Sequence, residues 1–426
     1  MVYSSVTMRY RILYIFITIT MVIFSGIAHA QGFITGYWEG SMKFVDGVLP
    51  IAMRLVEQGA LLDIPSQNLY GFPCASSSFI KNKLVIVFAF GNTKLTFDGV
   101  ITGTQYAGNF TNGNTGGSFE LNVSKKPLRR GESALRIPVN GAVLPGTLLV
   151  PQDIPDKVPL VIFHSGLGVT DRNGNNYNIA GKNDAIKQLA EALQLSGVAS
   201  FRYDKRGAGE AYWLVKSENE LSPKVWTNDF VEIIKYFKND SRFSSIWIMG
   251  IHDGALIAAA AAQKTSEYNG IIIACSSAYS PYETYFKSIE DAPQDKQAEG
   301  KAILESLKKG KKVTNYSEFY ASAFRISFQN YLIELFTFDL KRDLAKIKKP
   351  ILVIQGDRDM QVTYYEYTKI MEAVPHAKGI VIPEMNHVLK LVSPFMDDNN
   401  KAFSDPAFPI PLELLTGILD FIKENQ

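Results

Sequence analysis

Two patterns of apolar residues divide the chain. From about residue 32 to 124 the apolar positions come in short runs, at 36–40, 51–56, 84–90, 95–99 and 118–123, with turn residues such as Gly91-Asn92 and Asn112-Gly113-Asn114 between them. No amphipathic helical period intervenes, so this part is expected to be all-β, a small barrel or half-barrel built of hairpins. The stretch Lys125-Lys126-Pro127-Leu128-Arg129-Arg130-Gly131-Glu132 is a charged, proline-containing boundary. Beyond it, apolar strands at 160–164, 199–203, 246–249, 271–274, 351–354 and 380–382 alternate with longer segments, of which 184–195 and 224–237 carry helical periods. That alternation predicts a mostly parallel sheet with helices on both faces.

Between about 280 and 340 the alternation breaks. The segment is rich in charge and in aromatics, among them Tyr282, Tyr285, Phe286, Phe319, Tyr320, Phe324, Phe328, Tyr331 and Phe336. It is expected to be a helical insertion over the face where the strands end. As a lid on an apolar substrate it needs several of those rings facing inward; otherwise it is a helical packing insert.

Composition narrows the picture. A chain of 426 residues, 46% hydrophobic and 12% aromatic, can bury one large core and a smaller one. A net charge of +2 calls for neither nucleic acid nor a polyanion. Arg9 and Arg11 precede an apolar run at 12–24, and Ala28-His29-Ala30 offers small residues at the positions a signal peptidase reads. Residues 1–30 therefore read as a signal peptide, with the mature chain starting near Gln31 and exported to the periplasm or beyond. The run is short for a spanning helix, so no stable membrane anchor is expected after cleavage. The expected organisation is an all-β domain at 31–125, a linker at 126–134 and an α/β domain at 135–426 with the insertion at about 280–340. Cys74 and Cys275 fall in different domains and read as unpaired, buried residues.

Three stretches lie at strand ends, where ligands bind in open α/β sheets. The first is the glycine-rich loop Ser165-Gly166-Leu167-Gly168, continuing through Val169-Thr170-Asp171-Arg172-Asn173-Gly174-Asn175-Asn176. The second is Gly250-Ile251-His252-Asp253-Gly254, a turn between an apolar strand and an alanine-rich helix, which is the layout of a nucleophile elbow. The third joins Gln355-Gly356-Asp357-Arg358-Asp359 to Asn386-His387. With these motifs and Arg202-Tyr203-Asp204-Lys205-Arg206-Gly207, the chain from about residue 135 resembles bacterial α/β-hydrolase-fold carboxylesterases of the serine-aminopeptidase-like type that carry an N-terminal β domain. The resemblance implies an α/β-hydrolase fold, a small ester or acyl substrate and no cofactor. It also implies roles: Asp359 as the acid, His387 as the base, and the amides of Leu167 and Asp253 as the oxyanion hole. In the Arg-Tyr-Asp-Lys-Arg-Gly loop, Asp204 is expected to pair locally with Arg202 or Arg206.

The chain departs from that family at the nucleophile, where His252 stands in place of serine. Three readings follow. A degenerate hydrolase keeps the fold and binds a ligand without turnover; His252 is itself the nucleophile, since histidine forms covalent intermediates; or the register slides by one, making Asp253 a carboxylate nucleophile as in haloalkane dehalogenases. His252, His387 and Asp359 are also ligand types that suit zinc, but without a helical His-x-x-x-His spacing no metal is assigned. Of the remaining histidines of the mature chain, His164 reads as a strand-end packing residue and His376 as surface.

Overall fold

The computed structural model describes residues 35–124, 128–154 and 156–426. The expected signal peptide at 1–30 lies outside the described residues, as do positions 126 and 127 of the expected linker.

The first half-barrel forms as the turn residues dictate. Nine antiparallel strands, β1 (Gly36–Phe44), β2 (Gly47–Val56), β3 (Gly59–Ile64), β4 (Leu69–Pro73), β5 (Ser76–Ile80), β6 (Lys83–Phe90), β7 (Thr93–Thr102), β8 (Gln105–Asn112) and β9 (Thr115–Val123), pair in the order β4-β3-β2-β1-β9-β8-β7-β6-β5. Alternation puts one residue in two on the inner face. Along β7 the alternation holds without a slip: Leu95, Phe97, Gly99 and Ile101 are buried, whereas Asp98 and Val100 face outward. Trp38, Phe88, Phe97, Tyr106 and Phe119 fill the interior.

A hairpin then opens the second sheet. β10 (Glu132–Val139) and β11 (Ala142–Leu149) are antiparallel, and β10 begins inside the charged boundary stretch. β12 (Val158–His164), β13 (Ala199–Tyr203), β14 (Phe243–Ile251), β15 (Gly270–Ala274), β16 (Ile351–Gly356) and β17 (Lys378–Ile382) are parallel, and the whole order is β10-β11-β13-β12-β14-β15-β16-β17. Strands covered on both faces can be apolar throughout, which is why β15 reads Gly-Ile-Ile-Ile-Ala and is buried end to end.

Helices α1 (Ala185–Leu195), α2 (Pro223–Phe237), α3 (Gly254–Ala262), α9 (Tyr364–Ala373) and α11 (Leu412–Glu424) flank this sheet; α10 (Met396–Lys401) is a short turn before the last of them. The segment from 281 to 344 supplies α4 (Pro281–Glu290), α5 (Gln294–Lys308), α6 (Glu318–Ala321), α7 (Ile326–Leu335) and α8 (Leu340–Leu344). Its aromatics are divided. Tyr320, Phe324, Tyr331 and Phe336 join the main core, and Tyr331 meets Trp226 of α2 edge to face at 5.9 Å, whereas Phe319 is exposed. Among the described residues no helix is long and apolar enough to cross a membrane. Cys74 and Cys275 are free and buried, as read from the sequence.

Several contacts fasten the half-barrel to the α/β part, among them Arg136 with Glu57, and two groups of them lie near the site. Tyr212 enters the half-barrel core and its hydroxyl lies 3.1 Å from Cys74 Sγ, while Arg54 Nη1 meets Glu210 Oε1 at 2.9 Å. The second contact is at the glycine-loop side: Gly181 N–H donates to Asn68 O at 2.6 Å, and Phe72 meets Tyr177 edge to face at 5.9 Å.

Candidate active site

The elbow is made by two glycines and a strained residue. A Cβ on Gly250 would sit 2.5 Å from Ala255 Cα, and one on Gly254 would sit 2.6 Å from both His164 O and Ser165 O, so only glycine lets β14 turn this tightly into α3. Between them His252 has φ 53°, the left-handed region that costs a non-glycine residue roughly 1–2 kcal/mol. Three hydrogen bonds hold it there: His252 N–H to Ala274 O at 3.0 Å, Ser276 Oγ to His252 O at 2.9 Å, and His252 Nε2 to His387 O at 2.6 Å. Asp253 follows at φ −65°, ψ −15° and is already helical. The raised position of the turn is therefore 252, and Asp253 opens the helix.

The residues expected as base and acid meet. His387 Nδ1 donates to Asp359 Oδ2 at 2.9 Å, and Asp359 Oδ1 accepts the amides of Gln361 and Val362 at 2.8 Å each. The Asp359 side chain is wholly buried, which disfavours its charge, yet His387 and the two amides outweigh burial and hold its pKa below the usual carboxylate range. Asn386 fixes the histidine loop by accepting the amides of Val388 and Lys390 at 3.1 and 3.0 Å.

The two imidazoles lie almost parallel, with centroids 4.0 Å apart and planes 14° from coplanar directions. A carbonyl only accepts, so His252 Nε2 carries the proton and Nδ1 carries the lone pair. That Nδ1 faces Gly166, 3.6 Å from where a Cβ there would be. Burial, aided by His387, pushes the pKa of His252 down to about 3, which keeps the ring neutral near pH 7. Among the described residues the amides of Leu167 and Asp253 donate no hydrogen bond within the protein. Asp253 is exposed, and it lies close enough to Tyr285 and Tyr331 of the 281–344 segment for its charge to act on both.

The loop below is braced from behind. Lys205 Nζ donates to Thr170 O at 2.7 Å and to Ser165 Oγ at 3.2 Å, and burial lowers its pKa to about 7. The local pairing expected for Asp204 is corrected: its carboxylate takes the Arg172 guanidinium at 2.6 Å and the Arg172 amide at 2.8 Å, while Arg206 turns to Asp229 at 2.6 Å and Arg202 to Asn173 Oδ1 at 3.0 Å. Neighbouring strand ends bring Arg172 to Asp204, whereas the flanking arginines project elsewhere. His164 is buried, its Nδ1 2.7 Å from Ser165 O, and His376 is exposed with Nε2 3.0 Å from Ile347 O. Among the described residues no group of three His, Cys, Asp or Glu side chains is placed to hold a metal ion. Sequence reasoning did not single out a cavity of about 180 Å³ beside the His252 ring, walled by the glycine loop and by Asn176 and Lys182. Asn176 belongs to the glycine-rich loop motif, but only the fold shows that the far end of that loop returns to the site.

Residues 180–390 match the family model for Hydrolase_4, the serine aminopeptidases of type S33. No curated protein matches the chain. Among solved structures it is similar to Est1E from Butyrivibrio proteoclasticus with ferulic acid bound, at 18% identity over 68% of this chain and 99% of that one, with a TM-score of 0.46. It is also similar to a hypothetical protein from Pseudomonas aeruginosa, at 14% identity over 71% of this chain and 98% of the other, with a TM-score of 0.49. The strand order and the elbow after β14 give the chain the α/β-hydrolase fold, and residues 180–390 of it match that family model.

Proposed function

We propose that this protein is an exported hydrolase of small carboxylic esters or related acyl substrates, with the His252 imidazole in the nucleophile position. The observation that carries the reading is the hydrogen bond from His252 Nε2 to His387 O, which leaves Nδ1 as a neutral lone pair at the raised position of the elbow. An ester carbonyl between His252 and the Gly166 loop would place its oxygen toward the unpaired amides of Leu167 and Asp253, where charge develops. Nδ1 attacks the carbonyl carbon, the bond to the alcohol oxygen breaks, and the alkoxide leaves with the proton that Nε2 gives up through solvent. His387, whose Nδ1–H is held by Asp359, keeps a free Nε2 lone pair. It takes a proton from water as that water attacks the acyl-imidazole, and the proton returns to the His252 ring as the acid departs. A ring of pKa about 3 is a weak nucleophile and a good leaving group, so acylation limits the rate.

Hydrolysis of p-nitrophenyl acetate by the wild type, His252→Ala and Asp253→Ala tests this. Wild-type turnover lost in His252→Ala and retained in Asp253→Ala is the expected result. Turnover equal in wild type and His252→Ala removes the histidine nucleophile, loss confined to Asp253→Ala assigns the role to that carboxylate, and no turnover in any of them leaves a ligand-binding protein.

A further inference from the structure

The glycine loop is pinned at both ends by the two residues that follow β13. At its far end the Asp204 carboxylate accepts the Arg172 amide at 2.8 Å and the Arg172 guanidinium at 2.6 Å. At its near end Lys205 Nζ donates to Ser165 Oγ at 3.2 Å and to Thr170 O at 2.7 Å, and Ser165 Oγ donates to the same carbonyl at 3.2 Å. Between the pins lie Gly166, Leu167, Gly168 and Val169, the arc that carries the Leu167 amide and whose Gly166 faces His252 Nδ1. Lys205 works from a buried position, 2% exposed. Among the described residues it forms no ion pair, and Ser165 Oγ and Thr170 O are its two acceptors.

Two acceptors match the two hydrogens of an amine, whereas the third hydrogen of an ammonium is left without a partner. The charged and titratable groups around Lys205 are engaged elsewhere. Asp204 takes Arg172 and the Glu210 amide, Asp171 Oδ1 takes the amides of Asn173 and Asn175 at 2.8 and 2.9 Å, and His164 Nδ1 lies 2.7 Å from Ser165 O. Burial accordingly lowers the Lys205 pKa to about 7, against the pull of Asp204 and Asp171. We propose that Lys205 is the positioning residue of the glycine loop and braces it as an uncharged amine, so that the Leu167 amide is held more firmly on the alkaline side of neutrality. A loop that lifts off lets Lys205 into water, where its ordinary value is 10.5, so the lifted loop takes up a proton that the closed loop refuses. The closed loop therefore gains as pH rises above about 7. The effect of a firmer loop on turnover rests on the ester-hydrolase reading; the bracing itself does not.

Amide hydrogen exchange of the full chain tests the brace without requiring turnover. It is followed on segment 165–175, which carries the hydrogen-bonded amides of Asp171 and Arg172, and is corrected for the intrinsic pH dependence of exchange. In the wild type, protection of this segment is expected to rise on the order of tenfold from pH 7 to pH 8.5, a range above the ordinary histidine value. Lys205→Met is expected to show weaker protection than wild type at pH 8.5 and no rise, and Lys205→Arg, a cation at both pH values, to stay at its pH 7 level. With p-nitrophenyl acetate, the ratio of wild-type to Lys205→Arg kcat should rise over the same range, and any contribution from His387 cancels in that ratio. Wild-type protection that ignores pH, or a rise that persists in Lys205→Met, overturns the proposal, and the wild-type measurement stands even if a variant fails to fold. Lys205→Arg as well protected as wild type at pH 8.5 overturns the uncharged brace, and a kcat ratio that stays flat overturns the positioning role. The expected protection pattern in a protein that hydrolyses no ester keeps the brace and removes the hydrolase reading instead.

Discussion

His252 and His387 are locked to each other twice, by rings stacked at a 4.0 Å centroid separation and by the 2.6 Å hydrogen bond from His252 Nε2 to the His387 carbonyl. The imidazole therefore occupies the space above His387, whose ring Asp359 already orients. Replacing His252 by serine puts a hydroxyl at the same raised position and leaves the base lone pair in reach of it. His252→Ser is expected to hydrolyse p-nitrophenyl acetate at least about 10²-fold faster than the wild type, the low end of what a positioned base contributes. Adding Asp359→Asn to that variant should remove about 10⁴-fold of kcat by stabilising the wrong His387 tautomer. A His252→Ser protein no faster than wild type would show that more than the nucleophile separates this site from a serine hydrolase.

Acid should unfold this protein early, and the site explains why. His252 and His164 are both held at about 3, burial being the main cause in each, against an ordinary value of 6.5. Below pH 6.5 the unfolded chain takes up protons that the folded chain refuses, so stability is lost as pH falls toward 3. Asp359 adds to the loss at the lower end, because its depressed pKa contributes stability above the ordinary carboxylate range that disappears as pH drops through the folded value. Between pH 7 and 4.5 each histidine is expected to cost on the order of 2 kcal/mol. Urea unfolding across that range should show a shallower decline in His252→Ala than in wild type, and parallel curves would refute the assignment.

The parts of this fold that are covered on both sides were legible. The stretches from 160 to 163 and from 271 to 274 are unbroken apolar runs because helices cover both faces, and a run of that kind needs no partner to be recognised. β4 and β5 were not: Leu-Tyr-Gly-Phe-Pro and Ser-Ser-Ser-Phe-Ile sit at the edges of their sheet, where glycine, proline and serine are tolerated and the pattern fades. β10, with Glu132, Arg136 and Pro138, hid in the charged boundary for the same reason. At the site, the motifs that resemble a known family singled out Asp359 and His387, and the fold brings the two side chains together. The direction of the His252 ring, the proton on its Nε2 and the Asp204–Arg172 pairing depend on how separate strand ends meet, which no local pattern encodes.

The two thiols offer a check on the packing of both domains. Cys74 and Cys275 are 1% and 0% exposed, and burial raises the pKa of each. A thiol that is neutral and out of contact with solvent is inert to a disulfide reagent. The native protein is expected to give no colour with such a reagent over minutes, and both thiols should react in denaturant without prior reduction. A thiol that reacts in the native protein contradicts the burial, and silence of both in denaturant would mean that they are already oxidised.

The charged chain that runs from the half-barrel to the glycine loop separates positions that matter for folding from those that decorate it. Arg172 and Asp204 are 7% and 2% exposed at their side chains and 2.6 Å apart, and Glu210 Oε1 joins Arg172 at 3.2 Å and Arg54 at 2.9 Å. Removing Arg172 strands a buried carboxylate, which typically costs about 3–5 kcal/mol, whereas the Arg54 side chain is 39% exposed and a pair of that kind contributes at most about 1 kcal/mol. Urea denaturation should therefore rank Arg172→Met well below Arg54→Met in stability. The double variant Arg172→Met, Asp204→Leu should recover much of the loss, because neither charge is then left alone. If Arg54→Met proved as damaging as Arg172→Met, the half-barrel contact would have to carry the stability assigned to the buried pair.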